Sequence, residues 1–279
     1  QPEIISIGAE KLEKWLESTP DLRTYAFMIR DLIRMQEHVL DPAREQLLAE
    51  LGDASRAPND CYDMFTNVDM EFPSVKKSDG SEGQLTNGNF CVYRESGDRA
   101  VREDAFEKFF GTYKKYINTF AATYGGSVKY DCFNAKVRGY SSACEAALSG
   151  GNVPVSVYDS LVKAIHDALP SMRRYLDIRR KAMGTDKIDM FDLYVPIVKE
   201  ADIPMPYADA KTLVKEALKP FGKRYGELLD RAYSEHWIDV YENKGKSSGA
   251  FSAGVYGVHP YVMLNYTDTL DDAFTLAHE

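Results

Sequence analysis

The sequence predicts a mainly α-helical fold that carries a small β-hairpin module and one further short sheet. Apolar residues recur at helical spacing over most of the 279 residues, and strand-like runs flanked by turn residues occur in only two places. Neither a repeat nor a low-complexity tract is visible. The composition, with 44% hydrophobic and 28% charged residues, is typical of a chain that buries a core.

The first helices are expected in residues 10–52, where apolar positions follow the helical period. Pro20 and Pro42 divide this stretch into two or three helices, and Gly52 is typical of a helix end. Residues 55–97 then combine turn sequences with short apolar runs, which predicts the hairpin or irregular module.

Helices are expected to return at Asp98 and to end at Gly125-Gly126. One broad apolar stripe marks this segment: Ala105, Phe106, Phe109, Phe110, Tyr113, Ile117 and Phe120. A stripe this aromatic predicts packing against other helices.

The next helix is expected to begin after Pro154. Ser156 and Asp159 have the spacing of a capping box, and Pro170 predicts a kink or a break. Near its end lies a basic cluster that we interpret as a solvated face: Arg173, Arg174, Arg179, Arg180 and Lys181.

Three prolines, Pro196, Pro204 and Pro206, predict a connector after this helix. Residues 208–219 and 221–233 then predict two short helices, or one helix kinked between them.

Charge and length bear on the possible partners. Lys and Arg total 34 against 43 Asp and Glu, which gives a net charge of −9. Nucleic-acid binding requires a basic face, and a membrane span requires an apolar run of about 18 residues that this sequence lacks. We therefore expect neither partner, and in the absence of a visible signal peptide we expect a cytoplasmic protein.

The cysteines are too widely spaced for a zinc knuckle or a redox motif. They are Cys61, Cys91, Cys132 and Cys144. The prediction is reduced and mostly buried thiols.

The second strand-like region is residues 247–266, which read SSGAFSAGVYGVHPYVMLNY. Frequent glycine disfavours a helix but suits an extended segment that another backbone approaches closely. Residues 261–264 have the length and residue types of a buried strand.

A capped helix is predicted directly after this strand. Thr269 as the N-cap residue and Asp272 at the third helical position form a capping box. Its buried side is expected to consist of Leu270, Phe274 and Ala277.

This helix reaches His278-Glu279, where the sequence ends. A His-Glu pair alone is weak support for a zinc site, because the zincin signature His-Glu-x-x-His needs a second histidine four residues after the first. That position would be 282, outside this chain. The arrangement of apolar strand, short turn and capped helix nevertheless suits a zinc peptidase.

Two longer stretches resemble one enzyme family. KGKSSGAFSAGVYGVHPYVMLNYTDTLDDAFTLAHE, residues 244–279, resembles the region leading into the zinc helix of oligoendopeptidase F, a thimet-oligopeptidase-like zinc metallopeptidase. MFTNVDMEFPSVKKSDGSEGQLTNGNFCVYRESGDRAVREDAFEKFFGTY, residues 64–113, is similar to the junction between that family's N-terminal module and its catalytic domain. The resemblance covers nearly the whole chain.

The resemblance implies a helical metallopeptidase-type architecture that hydrolyses short oligopeptides with one zinc ion. His278 matches the first zinc ligand and Glu279 the catalytic glutamate. In that scheme zinc polarises the scissile carbonyl and acidifies a water molecule, while Glu279 transfers protons. The second histidine and the glutamate ligand of the family lie beyond residue 279, so we expect the 279-residue chain to be inactive.

Candidate substrate-binding residues lie in the glycine-rich region. They are Gly254, Gly257, His259 and Tyr261. The segment could pair with an extended peptide backbone, as a sheet edge does, or it could merely form the wall beneath the helix. His259 precedes a proline, and we favour a turn anchor over a metal ligand.

The resemblance also implies a domain division. Residues 1–75 would be an N-terminal helical module with the start of the hairpin region, 76–100 a junction, and 101–279 the first part of the catalytic domain. The first residue is Gln1 and the predicted last helix stops at Glu279, so we expect a fragment cut inside the zinc motif. Unmatched apolar side chains such as Phe274 then predict poor solubility.

An alternative interpretation belongs to a different class. The chain could be a helical scaffold or peptide-binding protein in which the terminal His-Glu is coincidental. The oligomeric state is open in both interpretations.

Overall fold

The computed structural model describes residues 2–198 and 203–279 and confirms a mainly α-helical fold with small sheets. The α-helices are α1 Pro2–Ile5, α2 Ala9–Ser18, α3 Ala26–Met35, α4 Pro42–Met64, α5 Phe90–Glu95, α6 Arg99–Lys115, α7 Ile117–Val137, α8 Ala143–Ser149, α9 Val155–Ala182, α10 Tyr207–Ala217, α11 Lys223–Ser234 and α12 Leu270–His278. The predicted connector lies partly outside the described residues. None of the helices in the described ranges has the length and apolar character needed to cross a membrane.

In the part of the chain that the structure describes, two small sheets accompany the helices. Strands β1 (Ser74–Lys76) and β2 (Glu82–Gln84) form the predicted antiparallel hairpin. The second sheet has the order β3-β5-β4, with β3 at Ile238–Asp239, β4 at Phe251–Ala253 and β5 at Tyr261–Met263. β5 runs parallel to β3 and antiparallel to β4, so β4 is an edge strand.

The chain divides into two compact units. Residues 1–62 and 118–169 make up the first unit, whose core centres on Leu12, Leu16 and Ile29. Within this unit the guanidinium of Arg138 donates to both carboxylate oxygens of Glu45 at 2.8 and 3.0 Å. This ion pair joins α4 to the end of α7.

The second unit comprises residues 63–117 and 170–279 and contains a buried ionic cluster. Asp192 is fully buried and accepts from Arg102 at 2.8 Å and from Arg99 at 3.2 Å. Burial by itself would raise the pKa of Asp192, but the hydrogen bonds from Arg102 and other donors outweigh it and lower that pKa. Arg179 is also buried and donates to the Asp192 carbonyl, so its assignment to a solvated basic face is wrong.

Several predicted helix ends are wrong because tertiary packing overrides local preference. Helix α4 continues through Gly52 and Pro58, and α7 continues through Gly125-Gly126. A Cβ atom at Gly126 would lie 2.9 Å from the Pro58 ring, so this glycine permits close packing of α4 and α7. Helix α9 continues through Pro170, which excludes the predicted break, and the predicted kink stays a prediction.

Other local predictions also differ from the structure. Helix α9 already begins at Val155, which places Ser156 inside it and excludes the predicted cap. Residues 90–95 form α5, where Phe90 stacks on Phe109 with ring centroids 4.0 Å apart. The aromatic stripe is divided at Tyr116, between α6 and α7.

The prediction of mostly buried thiols is wrong as well. Cys61 and Cys132 are exposed, while Cys91 and Cys144 are half-buried; all four are unpaired in the described structure. Cys61 and Cys132 lie on solvent-facing sides of α4 and α7, a placement that spacing in the sequence cannot reveal.

Candidate active site

Strand β5 is the central strand of its sheet and leads into α12. Its backbone continues to pair beyond the strand: the Leu264 amide donates to the Asp239 carbonyl at 2.8 Å, and the Tyr266 amide donates to the Val240 carbonyl at 2.9 Å. Leu264 and Tyr266 are buried, whereas Tyr261 is 55% exposed. The predicted strand is therefore present, but of its residues 261–264 only Leu264 is fully buried.

The N-terminus of α12 has the predicted capping box. One oxygen of the Asp272 carboxylate accepts from the Thr269 amide at 2.9 Å and from its hydroxyl at 2.7 Å. The same oxygen accepts from the amide and hydroxyl of Thr267, both at 2.9 Å. A negative charge here also favours the helix dipole. The turn between β5 and α12 is thus fixed by one side chain.

Helix α12 packs on α10 through small and medium apolar side chains. Ala273 and Leu276 are buried in a cluster that also contains Ala210 and Val214 of α10. Phe274 is 68% exposed and Ala277 is exposed, so their assignment to the buried side is wrong. Because the helix begins at the Thr269 cap, Ala273 and Leu276 are the residues that face α10.

Tyr266 anchors the same turn to the segment before α10. Its hydroxyl donates to the Met205 carbonyl at 2.7 Å, and the Met205 amide donates to the Asp268 carbonyl at 2.7 Å. Burial, with a smaller contribution from nearby Asp272, raises the pKa of Tyr266 to about 12. The phenol therefore remains a neutral donor at physiological pH.

His278 is the last residue of α12, and Glu279 follows as its C-cap residue. The Glu279 amide donates to the Thr275 carbonyl at 3.0 Å, which continues the helical pattern to the final residue. His278 is exposed and Glu279 is half-buried. Consecutive helical residues point about 100° apart, so the imidazole and the carboxylate face different directions.

The described residues supply too few ligands for a complete metal site. Within residues 2–198 and 203–279 no group of three or more His, Cys, Asp or Glu side chains is placed to hold a metal ion. A catalytic zinc ion takes three protein ligands. The described residues therefore fit one ligand, the His278 imidazole, with a carboxylate beside it.

The glycine-rich segment carries the edge strand β4. A Cβ atom at Gly254 would meet nothing within 4 Å, so in the described structure no other backbone approaches it closely. Gly257 has φ +88°, which glycine adopts without strain. Asn265 holds the start of the segment by donating to the carbonyls of Ser247 and Gly249, both at 2.8 Å. No pattern in the sequence predicted these hydrogen bonds of Asn265.

A cavity of about 360 Å³ lies beside α12 within the second unit. Its lining includes Cys91, Arg94, Asn265, Asp272 and Thr275. Burial raises the pKa of the Cys91 thiol. The thiol is therefore a poor nucleophile at neutral pH.

Family comparison identifies the relatives of the chain as a whole. Residues 92–279 match the model described as "Peptidase family M3", and residues 3–72 match the model described as "Oligopeptidase F". The second match ends just before the β1–β2 hairpin, and the first begins within α5.

The chain is also similar to individual oligopeptidases. The chain is 41% identical over 278 residues to the oligopeptidase PepF of Bacillus subtilis and 38% identical over 279 residues to the group B oligopeptidase PepB of Streptococcus agalactiae. Both alignments cover 100% of this chain but only 42% and 46% of those proteins. The chain thus spans less than half the length of these curated relatives.

A solved structure with similar sequence also matches. The crystal structure of oligoendopeptidase-F from Enterococcus faecium superimposes with a TM-score of 0.67 at 36% identity, covering 85% of this chain and 44% of that one. The helical architecture is therefore shared with a solved oligoendopeptidase.

Proposed function

Because the chain belongs to peptidase family M3, in its oligopeptidase F group, we propose that it contributes to a zinc metalloendopeptidase that cleaves short peptides. The observation that carries the proposal is the placement of His278 and Glu279 at the end of the capped helix α12. Family membership favours this function over the scaffold alternative, in which these two residues would have no role.

We assign different roles to the two residues. The imidazole of His278, exposed at the end of α12, supplies one nitrogen ligand for zinc. When bound, zinc supplies Lewis-acid chemistry that polarises a peptide carbonyl and acidifies water. The Glu279 carboxylate accepts a proton from the attacking water and delivers it to the leaving amine.

The peptide substrate is proposed to lie along the edge strand β4. Among the described residues, 251–253 pair with β5 on one side only, which leaves backbone groups on the other side for an extended peptide. Gly254, Gly257 and Tyr261 flank this edge. The open space at Gly254 and the 55% exposure of Tyr261 support a role for this surface in contacting peptide.

The 279-residue chain by itself is proposed to be inactive. Its described residues offer one ligand to a metal that needs three. In isothermal titration with ZnCl2, the unmodified chain should bind zinc no more tightly than its His278→Ala variant does. A quenched fluorescent peptide incubated with the chain should remain intact. Zinc-dependent cleavage by this chain would contradict the proposal.

The proposed domain boundaries are residues 75 and 100. The two family matches, which leave residues 73–91 between them, support this division. Limited proteolysis should cut first in the exposed turn of the β1–β2 hairpin, residues 77–81, within this junction. Cytoplasmic location remains a prediction, which fractionation of cells that express the gene would test.

The coding sequence after residue 279 offers a direct test of the enzyme proposal. The third codon after Glu279 should encode histidine, because residues four apart lie on one helical face and can share a metal. A glutamate ligand should follow some two dozen residues later. A different residue at the third position would remove the zinc peptidase interpretation.

A further inference from the structure

The connection between β4 and β5 has few interactions of its own. Residues 254–260 contain one backbone hydrogen bond of the turn type, from the Val258 amide to the Val255 carbonyl at 3.2 Å. The side chains of Val255 and Tyr256 are 69% and 105% exposed. Such a segment opens easily unless another contact holds it.

His259 supplies that contact. Its ring stacks on the indole of Trp237 with centroids 4.7 Å apart and planes 5° apart, and it also contacts Tyr261 at 4.5 Å. The Nδ1 atom lies 2.8 Å from the Pro260 carbonyl. Because a carbonyl only accepts, Nδ1 carries the proton of this hydrogen bond. Both the plane and the rotation of the ring are thereby fixed.

Trp237 is a rigid platform for this stack. It is 6% exposed, and its indole nitrogen donates to Glu235 at 3.1 Å. The carboxylate of Glu235 also accepts twice from Arg231, at 2.9 and 3.0 Å, and the Arg231 guanidinium lies over the indole at 5.1 Å. The Trp237 carbonyl accepts from the Val262 amide at 2.9 Å. The platform is therefore tied to both α11 and β5.

We propose that His259 is a positioning residue: by stacking on Trp237 it holds residues 254–260 and so keeps the edge of β4 in place for an extended peptide. It acts on the peptide through the loop and does not itself bind metal. The positioning of peptide rests on the proposed function, whereas the holding of the loop does not.

Hydrogen exchange of the whole chain tests the holding of the loop. His259→Ala should speed exchange of the Val258 amide, which donates the turn hydrogen bond of this loop, about fivefold, because an aromatic pair contributes on the order of 1 kcal/mol and 1.4 kcal/mol corresponds to tenfold. His259→Phe should restore slow exchange, since a phenyl ring can also stack. Tyr256→Ala is the matched control in the same loop and should leave exchange unchanged.

A spectroscopic signature accompanies the exchange. The chain has two tryptophans, Trp15 and Trp237, so Trp15→Phe leaves Trp237 as the reporter. His259→Ala in this background should shift Trp237 emission to the red, and His259→Phe should not. Unchanged loop exchange and unchanged emission in His259→Ala would overturn the proposal.

Peptide binding tests the consequence for the edge. The probe is a fluorescein-labelled heptapeptide, AAFLAAK, followed by fluorescence anisotropy. His259→Ala should weaken its binding about fivefold, with recovery in His259→Phe. A loosened loop with unchanged affinity would overturn the positioning role. Absence of binding by the unmodified chain would instead count against the peptide edge of the proposed function, and the exchange result would still decide whether His259 holds the loop.

Discussion

The capping box of α12 should determine whether His278 and Glu279 are presented on an ordered helix. The perturbation is Asp272→Ala, which removes a carboxylate oxygen that accepts four hydrogen bonds from Thr267 and Thr269. The N-cap hydrogen bond from the backbone amide at position 272 to the Thr269 hydroxyl remains in this variant, so the first cost is the loss of a favourable charge at the first turn, about 0.5 kcal/mol. Leaving two half-buried amides without an acceptor adds about 1–2 kcal/mol.

The expected destabilisation of α12 is therefore about 2 kcal/mol, or roughly a thirtyfold increase in local opening. Hydrogen exchange of the whole chain, read out on the peptide that covers residues 270–279, measures this local opening directly. Exchange is preferable to a melting temperature, because a chain of two compact units need not unfold in one step.

Asp271→Ala is the matched control. Asp271 lies in the same first turn and is exposed, and its carboxylate makes none of the cap hydrogen bonds in the described structure. Its loss should remove only the interaction with the helix dipole, about 0.5 kcal/mol or twofold in exchange. Equal exchange rates in the two variants would refute the reasoning, because charge alone would then account for the effect.

The remaining predictions concern the ionic cluster, the thiols and the exposed apolar surface. Asp192→Asn should cost about 3–5 kcal/mol, measured from the urea unfolding transition of the second unit, because it leaves Arg102 buried without its charged partner; a cost below 1 kcal/mol would contradict this. The pKa of Asp192 is lowered in the folded chain, so the stability that its ionised carboxylate contributes is complete above the ordinary aspartate pKa of about 3.9 and is lost as the pH falls through the lower folded value. Unfolding titrations between pH 2 and 6 should show this loss of stability. The loss should be absent from Asp192→Asn. At pH 8 the thiols of Cys61 and Cys132 should react with a disulfide reagent well before Cys91, whose pKa burial raises; mass spectrometry identifies the order, and early labelling of Cys91 would contradict it. Phe274→Ser should raise the soluble yield of the isolated chain, because the side chain is 68% exposed, and an unchanged yield of monodisperse protein would count against that reasoning.

Local signals in the sequence predicted the start of α12, the strand before it and the hairpin, but not the buried side of α12. The Thr269 and Asp272 spacing predicted the capping box, the apolar run predicted β5, and the turn sequences in residues 55–97 predicted the β1–β2 hairpin. These features depend on residues within a few positions of one another. Family resemblance added the expected roles of His278 and Glu279, which composition and spacing could not supply.

Features that depend on distant residues were not predicted. Gly126 has the local character of a helix end, but it accommodates the Pro58 ring from a helix more than sixty positions away. Arg179 has the local character of a surface cation, but it is buried against the carbonyl of Asp192. The stack of His259 on Trp237 likewise joins two loops that only the sheet brings together. Patterns in a single sequence do not reveal contacts between residues that lie far apart in the chain.

The central claim is that Glu279 transfers protons while His278 holds zinc. Its most direct measurement is peptide hydrolysis together with zinc content for Glu279→Gln in the complete gene product. A general acid–base residue contributes about 10²- to 10⁴-fold, so the account predicts a loss of kcat in that range with zinc retained, whereas His278→Ala should lose the metal. Hydrolysis by Glu279→Gln within a factor of ten of the unmodified enzyme would contradict the account.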